Sequence, residues 1–286
     1  MNIRGLAAAL AAALCFTCFV PVRGAEADKP LTLIVHPFMA ATDLHKRFRP
    51  LADFLGGRLG RPVAIVIAKN YDEQIDAVGR GEMDLAYMGP APYVTMTGKY
   101  GRKTILGCFE TGGRSTFHGV IFVAKDSPVR TLAGLKGRSF AFGDKNSTMG
   151  HLIPLYALWK AGVTAENLGK HAFLGKHDNV ALGVLSGDFD GGAMIGDIFQ
   201  QYEKRGLRKL ADTPEIPEHV LLAGRRISVK DVSALHEALY GLKNTKEGLA
   251  VIRAIRDDAT GIVPADDKDY DMLRVIMRQL AKLGVK

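Results

Sequence analysis

Two hydroxyls stand where a turn opens into a helix. In Phe142-Gly143-Asp144-Lys145-Asn146-Ser147-Thr148-Met149-Gly150-His151-Leu152-Ile153-Pro154, a short β-like run ends at Phe142 and an apolar-periodic run follows over residues 152–161. Ser147 and Thr148 therefore sit with several backbone N–H groups at a helix start. Its unpaired donors and the positive end of its dipole suit a small oxyanion. The plainer reading of the same residues is an ordinary Ser/Thr N-cap. A Walker phosphate loop is excluded, because no Gly-Lys-Ser/Thr follows the glycine.

A second reactive group is a thiol. Of three cysteines, Cys15 and Cys18 fall in an N-terminal stretch with a basic n-region at residues 1–4, an apolar h-region at 5–20 and a small-residue exit at 22–27. That pattern is a secretory signal, expected to be cleaved so that the chain works in the periplasm. The apolar run is short for a retained membrane anchor. Leu14 before Cys15 and Thr17 before Cys18 disfavour lipid attachment. Cys108 is then left alone in an oxidising compartment. It reads either as a buried small hydrophobe or, near the carboxyl end of a strand over residues 103–110, as a group placed where open α/β sheets bind ligands.

These groups need a scaffold. Removing 27 residues from 286 leaves 259, which suits two domains of ordinary size. Residues 31–35, 63–68, 83–88 and 103–110 read as strands. Between them 43–59, 72–80 and 91–99 read as helices, the first with Leu44, Phe48, Leu51, Leu55 and Leu59 at helical spacing. The alternation is doubly wound α/β. Similar units follow from 138 to 211, with strands near 138–142, 171–174 and 191–195. The β-runs at 120–124 and 219–223 are placed to cross between lobes as hinge strands. Residues 28–118 and 222–286 would form the first lobe and 119–221 the second, with a helical C-terminal part over 229–286 returning to the first lobe. The formal charge of +8 falls to +7 when Arg4, Arg23 and Glu26 leave with the signal. No Lys/Arg stripe with interleaved aromatics appears, so no nucleic-acid partner is expected.

Several short motifs occur in a telling order: Phe48-Arg49-Pro50-Leu51 with Leu55-Gly56-Gly57, Asn70-Tyr71, Gly81-Glu82-Met83-Asp84-Leu85-Ala86, Gly89-Pro90-Ala91-Pro92-Tyr93, Lys125-Asp126-Ser127, Ser147-Thr148-Met149-Gly150-His151 and Gly175-Lys176-His177-Asp178. Together they resemble the phosphate, phosphite and phosphonate binding proteins of bacterial ABC importers. The resemblance implies a two-lobed type II periplasmic-binding-protein fold with two crossover hinge strands, whose cleft closes on its ligand. It further implies that Ser147 and Thr148 donate to ligand oxygens and that Tyr71 reaches in from the first lobe. His177 would supply a donor or a switchable charge, with a capped surface histidine as the alternative. Asp197 matches the place where amine-bearing phosphonates meet an acid; without an amine it would accept a hydrogen bond from a ligand hydroxyl.

Two departures from that pattern shape the ligand expectation. Phe117, in Ser115-Thr116-Phe117-His118-Gly119, stands where a tyrosine hydroxyl is expected for a phosphonate. Cys108, in Leu106-Gly107-Cys108-Phe109-Glu110, adds a sulfur that does nothing for a phosphorus oxyanion, since a thiol donates weakly and a thiolate repels. Arsenite, As(OH)₃ at neutral pH, fits both changes. A cysteine sulfur replaces one hydroxyl while Ser147, Thr148 and Asp197 hold the others, by the softness matching that pairs thiolates with soft metals. The chain also resembles the periplasmic arsenite-binding members of this family, which serve a membrane histidine kinase that turns on arsenite oxidation genes. The expectation is a sensor that holds arsenite on Cys108 and signals to that kinase. The alternative is the substrate-binding subunit of an ABC importer for phosphite, phosphate or phosphonate, partnered by a permease.

Neither reading needs a cofactor. His-Glu-x-x-His, Gly-x-Ser-x-Gly and paired metal-ligand spacings are absent from the sequence, and no local signature makes Cys108 a nucleophile with His118 or His177 as base, so an enzyme is not expected. His36, near a strand end, and His45, His171, His219 and His236, on element surfaces, read as structural or solvent-facing.

Overall fold

The computed structural model describes residues 29–284; the signal expected over residues 1–27, with Cys15 and Cys18, lies outside them. The chain starts as strand–helix units: β1 (Leu31–Val35), α1 (Ala41–Leu59), β2 (Val63–Ile67), α2 (Tyr71–Arg80), β3 (Leu85–Met88), α3 (Pro90–Tyr100) and β4 (Thr104–Thr111). β1 runs parallel to both β2 and β3. α1 forms because Leu44, Phe48, Leu51 and Leu55 fall on one face and are buried. At ~1.5–3 kcal/mol per fully buried side chain, that face offsets the cost of Pro50 inside the helix, about 3 kcal/mol. Gly60 then ends α1 in the left-handed region, φ 63°.

The chain leaves this lobe through β5 (Thr116–Phe117) and builds a second sheet from β6 (Gly119–Ala124), β7 (Ser139–Phe142), β8 (Lys170–Phe173), β9 (Gly191–Ile195) and β10 (Leu207–Asp212), carrying α4 (Ile153–Lys160), α5 (His177–Leu185) and α6 (Gly196–Glu203). Its order is β10-β6-β9-β7-β8. The return runs through β11 (Ile216–Pro217), which pairs antiparallel with β5, into β12 (Val220–Ala223). α7 (Val229–Gly241), α8 (Lys246–Arg253), β13 (Ala259–Val263) and α9 (Asp271–Lys282) complete the first lobe. Its sheet has the order β13-β4-β12-β3-β1-β2.

Two features differ from the sequence reading. The crossings are made by the small β5–β11 ladder rather than by the longer β-runs: β6 pairs wholly within the second sheet and β12 wholly within the first. The C-terminal part is not all helical. Ala259-Thr260-Gly261-Ile262-Val263 adds an edge strand to β4. Five residues between two helical patterns carry too short a period to announce a strand; the free edge of β4 decides it.

Candidate ligand-binding site

One edge of the first-lobe sheet gathers aromatic rings. In the order β12-β3-β1, His219 precedes β12, Tyr87 lies in β3 and His36 follows β1, so neighbouring strands present all three together. Their planes are nearly parallel: Tyr87 and His219 lie 4.9 Å apart at 6°, and His36 lies 5.6 Å from each. Tyr71, the first residue of α2, meets the edge of His36 at 4.9 Å, and Phe117 of β5 lies 5.0 Å from His219. Hydrogen bonds fix the tautomers. His36 Nδ1 lies 3.4 Å from the Tyr87 carbonyl oxygen and His219 Nδ1 2.9 Å from Glu218 Oε2. Both partners only accept, so each Nδ1 donates and each neutral ring keeps a lone pair on Nε2.

The second lobe faces this edge with helix starts. Ser147 caps a π-helical turn, Thr148–Leu152, that runs into α4, and its Oγ accepts from the Gly150 N–H at 3.0 Å. Such turns recur at functional sites. Asp197 lies in the first turn of α6 and His177 opens α5. Burial, reinforced by the neighbouring imidazole of His219, holds His177 down to about 4; burial does the same to His219, and His36 is pushed well below its usual value. All three are neutral at neutral pH.

Between the lobes lies a cavity of about 30 Å³, measured by the centre of a water-sized sphere, lined by these residues together with Arg47, Gly89, Arg256 and apolar neighbours such as Met39 and Ile198. One water needs roughly 10–15 Å³ on that measure, so the space suits an ion of a few heavy atoms and is too small for a nucleotide. The lobes are closed over it. The Ala91 N–H donates to Thr148 Oγ1 at 3.0 Å, the His177 N–H to the Phe38 carbonyl at 3.3 Å, and Asn146 Nδ2 to Asp72 Oδ1 at 2.9 Å. Arg256 of the first lobe pairs with the buried Glu218 and lies 3.7 Å from Asp197 Oδ2 and 3.3 Å from Asp258. Two side-chain atoms of lining residues are shut off from solvent with no partner, His177 Nδ1 and Asp197 Oδ1. Buried polar groups of this kind call for a partner.

Of the six residues singled out in the sequence, Tyr71, Ser147, Thr148, His177 and Asp197 line this cavity. Cys108 does not. It lies within the first-lobe sheet, opposite Val220 of β12 and Val263 of β13, and is buried. Burial and the nearby Asp269 carboxylate push its thiol up to about 11, which keeps it protonated at neutral pH. Its position near a strand end was legible; that β12 and β13 flank β4 on both sides was not. His36 and His219, read as structural, are instead lining residues. Their positions at the ends of β1 and β12, on one edge of the sheet, are the signal that finds them. Arg256 had no sequence signal at all. Among the described residues no group of three or more His, Cys, Asp or Glu is arranged to hold a metal ion.

Over residues 33–270 the chain matches the family described as ABC transporter, phosphonate, periplasmic substrate-binding protein. It is 26% identical over 271 residues to the phosphate-import protein PhnD of Mycolicibacterium smegmatis, covering 85% of this chain and 84% of that one. It is also 26% identical over 262 residues to the probable ABC transporter phosphite binding protein PhnD1 of Prochlorococcus marinus, covering 84% and 86%. Among solved structures it resembles PhnD1 of Prochlorococcus marinus in complex with methylphosphonate, with a TM-score of 0.80, 24% identity and coverage of 89% of this chain and 99% of that one. The fold is thus the two-lobed α/β type II periplasmic-binding-protein fold.

Proposed function

Because the chain belongs to the family of periplasmic substrate-binding proteins of phosphonate ABC transporters, we propose that it captures a small phosphorus oxyacid, phosphite, phosphate or a short phosphonate, and presents it to the permease of a membrane importer. The family is one of binding proteins, and its members work outside the cytoplasm. The observation that carries the reading is the interlobe cavity of about 30 Å³, with Ser147, Thr148 and Tyr71 on its wall and two unpaired polar atoms beside them. Ligand oxygens would take the free O–H of Thr148, whose oxygen already accepts from Ala91. That oxygen touches both lobes, so a ligand held by it favours the closed form.

The sensor reading rests on sulfur in the cleft, and Cys108 lies outside the cavity. No observation here points to a histidine kinase. Calorimetric titration of the mature protein with phosphite, methylphosphonate, phosphate and arsenite tests both readings. Tight binding of a phosphorus oxyacid, unchanged in Cys108→Ser, is the expected result. Arsenite binding that vanishes in Cys108→Ser, with no phosphorus ligand bound, would overturn it in favour of the sensor.

A further inference from the structure

Glu218 follows directly on β11, in the second crossing between the lobes, and is fully buried without lining the cavity. Its main chain is pinned on both sides. The Glu218 N–H donates to the Ser115 carbonyl, just before β5, at 2.9 Å, and its own carbonyl accepts from the Tyr270 hydroxyl at 3.0 Å. Both side-chain oxygens are engaged as well: Oε2 meets the His219 backbone N–H at 2.7 Å and its Nδ1 at 2.9 Å, and Oε1 accepts from Arg256 Nη1. The guanidinium and the main-chain N–H can only donate, which marks both oxygens as acceptors. His219 Nδ1 therefore donates too, and its Nε2 is left bare on the cavity side, where a β-carbon on the lining residue Gly89 would lie 3.6 Å away. Both side chains that Glu218 holds, His219 and Arg256, are on the cavity wall. Arg256 meets three carboxylates, and Arg47 on the same wall donates to the Ile255 carbonyl at 3.0 Å. Of those three, Asp197 belongs to the opposite lobe at 3.7 Å and the Asp258 side chain is 44% exposed, whereas Glu218 is at 0%. Glu218 is thus the first-lobe partner that water cannot replace.

We infer that Glu218 is a positioning residue of the ligand site: from behind the wall it fixes which nitrogen His219 offers to a ligand and holds Arg256 facing Asp197 of the other lobe. The inference rests on the capture of a phosphorus oxyacid proposed above. Glu218 itself touches no ligand and transfers nothing. A neutral histidine can present either an N–H or a lone pair, and the partner of its other nitrogen decides which. Glutamine cannot take over this task, although it matches glutamate in shape. Its carbonyl oxygen can serve His219 or Arg256, and its amide then aims a donor at the other, which is a donor already. One carboxylate at the crossing thus sets two wall residues at once.

Two measurements test this. Nitrogen NMR of the native protein, with the His219 ring assigned through a His219→Asn variant, should show one protonated nitrogen, Nδ1, and a bare Nε2 at neutral pH. A ring protonated at Nε2, or at both nitrogens, overturns the inference, and this readout does not depend on any variant folding. The second measurement is a double-mutant cycle read by calorimetric titration with phosphite and methylphosphonate. Glu218→Gln should weaken binding by about tenfold or more. His219→Asn, whose amide still donates toward Glu218 but offers nothing at the place of Nε2, should also weaken it. If Glu218 acts through the ring, the double variant loses clearly less than the product of the two single effects. Fully multiplicative losses, or a folded Glu218→Gln that binds as tightly as the native protein, overturn the inference and leave the proposed function standing. Native protein that binds neither phosphite, phosphate nor methylphosphonate overturns the proposed function instead, and the His219 nitrogen signature still decides whether Glu218 sets the ring.

Discussion

Thr148 does two jobs with one oxygen: it accepts the Ala91 N–H of the opposite lobe and keeps its own hydrogen for a ligand. Thr148→Ala should therefore weaken oxyanion binding by roughly 10–100-fold, the equivalent of one or two hydrogen bonds in a closed site, while the melting temperature of the unliganded protein changes little. Titration calorimetry beside a thermal melt checks both. Gly89→Ala is a complementary probe. The new methyl would meet His219 Nε2 and Thr148 Oγ1 at ordinary contact distance, 3.6 Å, so the fold should persist while the space for the ligand shrinks. Binding lost without loss of stability is the expected outcome, and undiminished affinity would remove Gly89 from the site. Ser147 and Thr148 were legible in the sequence because hydroxyls before an apolar-periodic run mark a helix start. That Ser147 also caps conventionally, through Gly150, shows the plain and the functional readings to be compatible at one residue.

At the scale of elements, the turn from β7 into α4 positions the cradle through close approach. A β-carbon at Gly150 would come within 2.7 Å of Ser147 Oγ and 3.2 Å of the Gly143 α-carbon. Gly150→Ala should thus displace the capping hydroxyl and lower stability by ~1–3 kcal/mol, as overpacking does, with ligand affinity falling in parallel. Chemical denaturation and calorimetry on the same variant provide the check. Element identity was largely readable: α1 and α2 carry apolar faces at helical spacing and stop at Gly60 and Gly81 in the left-handed region. β13 was not readable, since its pairing with β4 is a long-range event. That pairing sets Val263 opposite Cys108, so the thiol lies inside the sheet rather than at its edge.

For the whole molecule, closing two lobes around neutral imidazoles sets a pH dependence. His177 and His219 in the cavity, and His151 behind the cradle, are each held by burial at about 4 against 6.5 for the free side chain. Below 6.5 the unfolded chain takes up protons that the folded chain refuses. The stability these groups contribute is complete above that value and is lost as pH falls toward 4, at about 1.4 kcal/mol per pH unit for each histidine. Denaturation midpoints measured across that window should fall steadily, and His177→Gln should reduce the slope by one proton; a midpoint independent of pH would contradict the buried neutral cluster. By itself the chain determined what local pattern can determine. It set the alternation of strands and helices, the glycine stops and the hydroxyl-bearing helix start, because each depends on neighbours a few residues away. Tertiary structure alone decided which side chains share the cavity. His36, Tyr87 and His219 meet because β1, β3 and β12 are adjacent, Arg256 reaches Asp197 only across closed lobes, and Cys108 lies within the sheet, off the cavity wall. Such proximities depend on pairing register and lobe closure, which no local run of residues encodes.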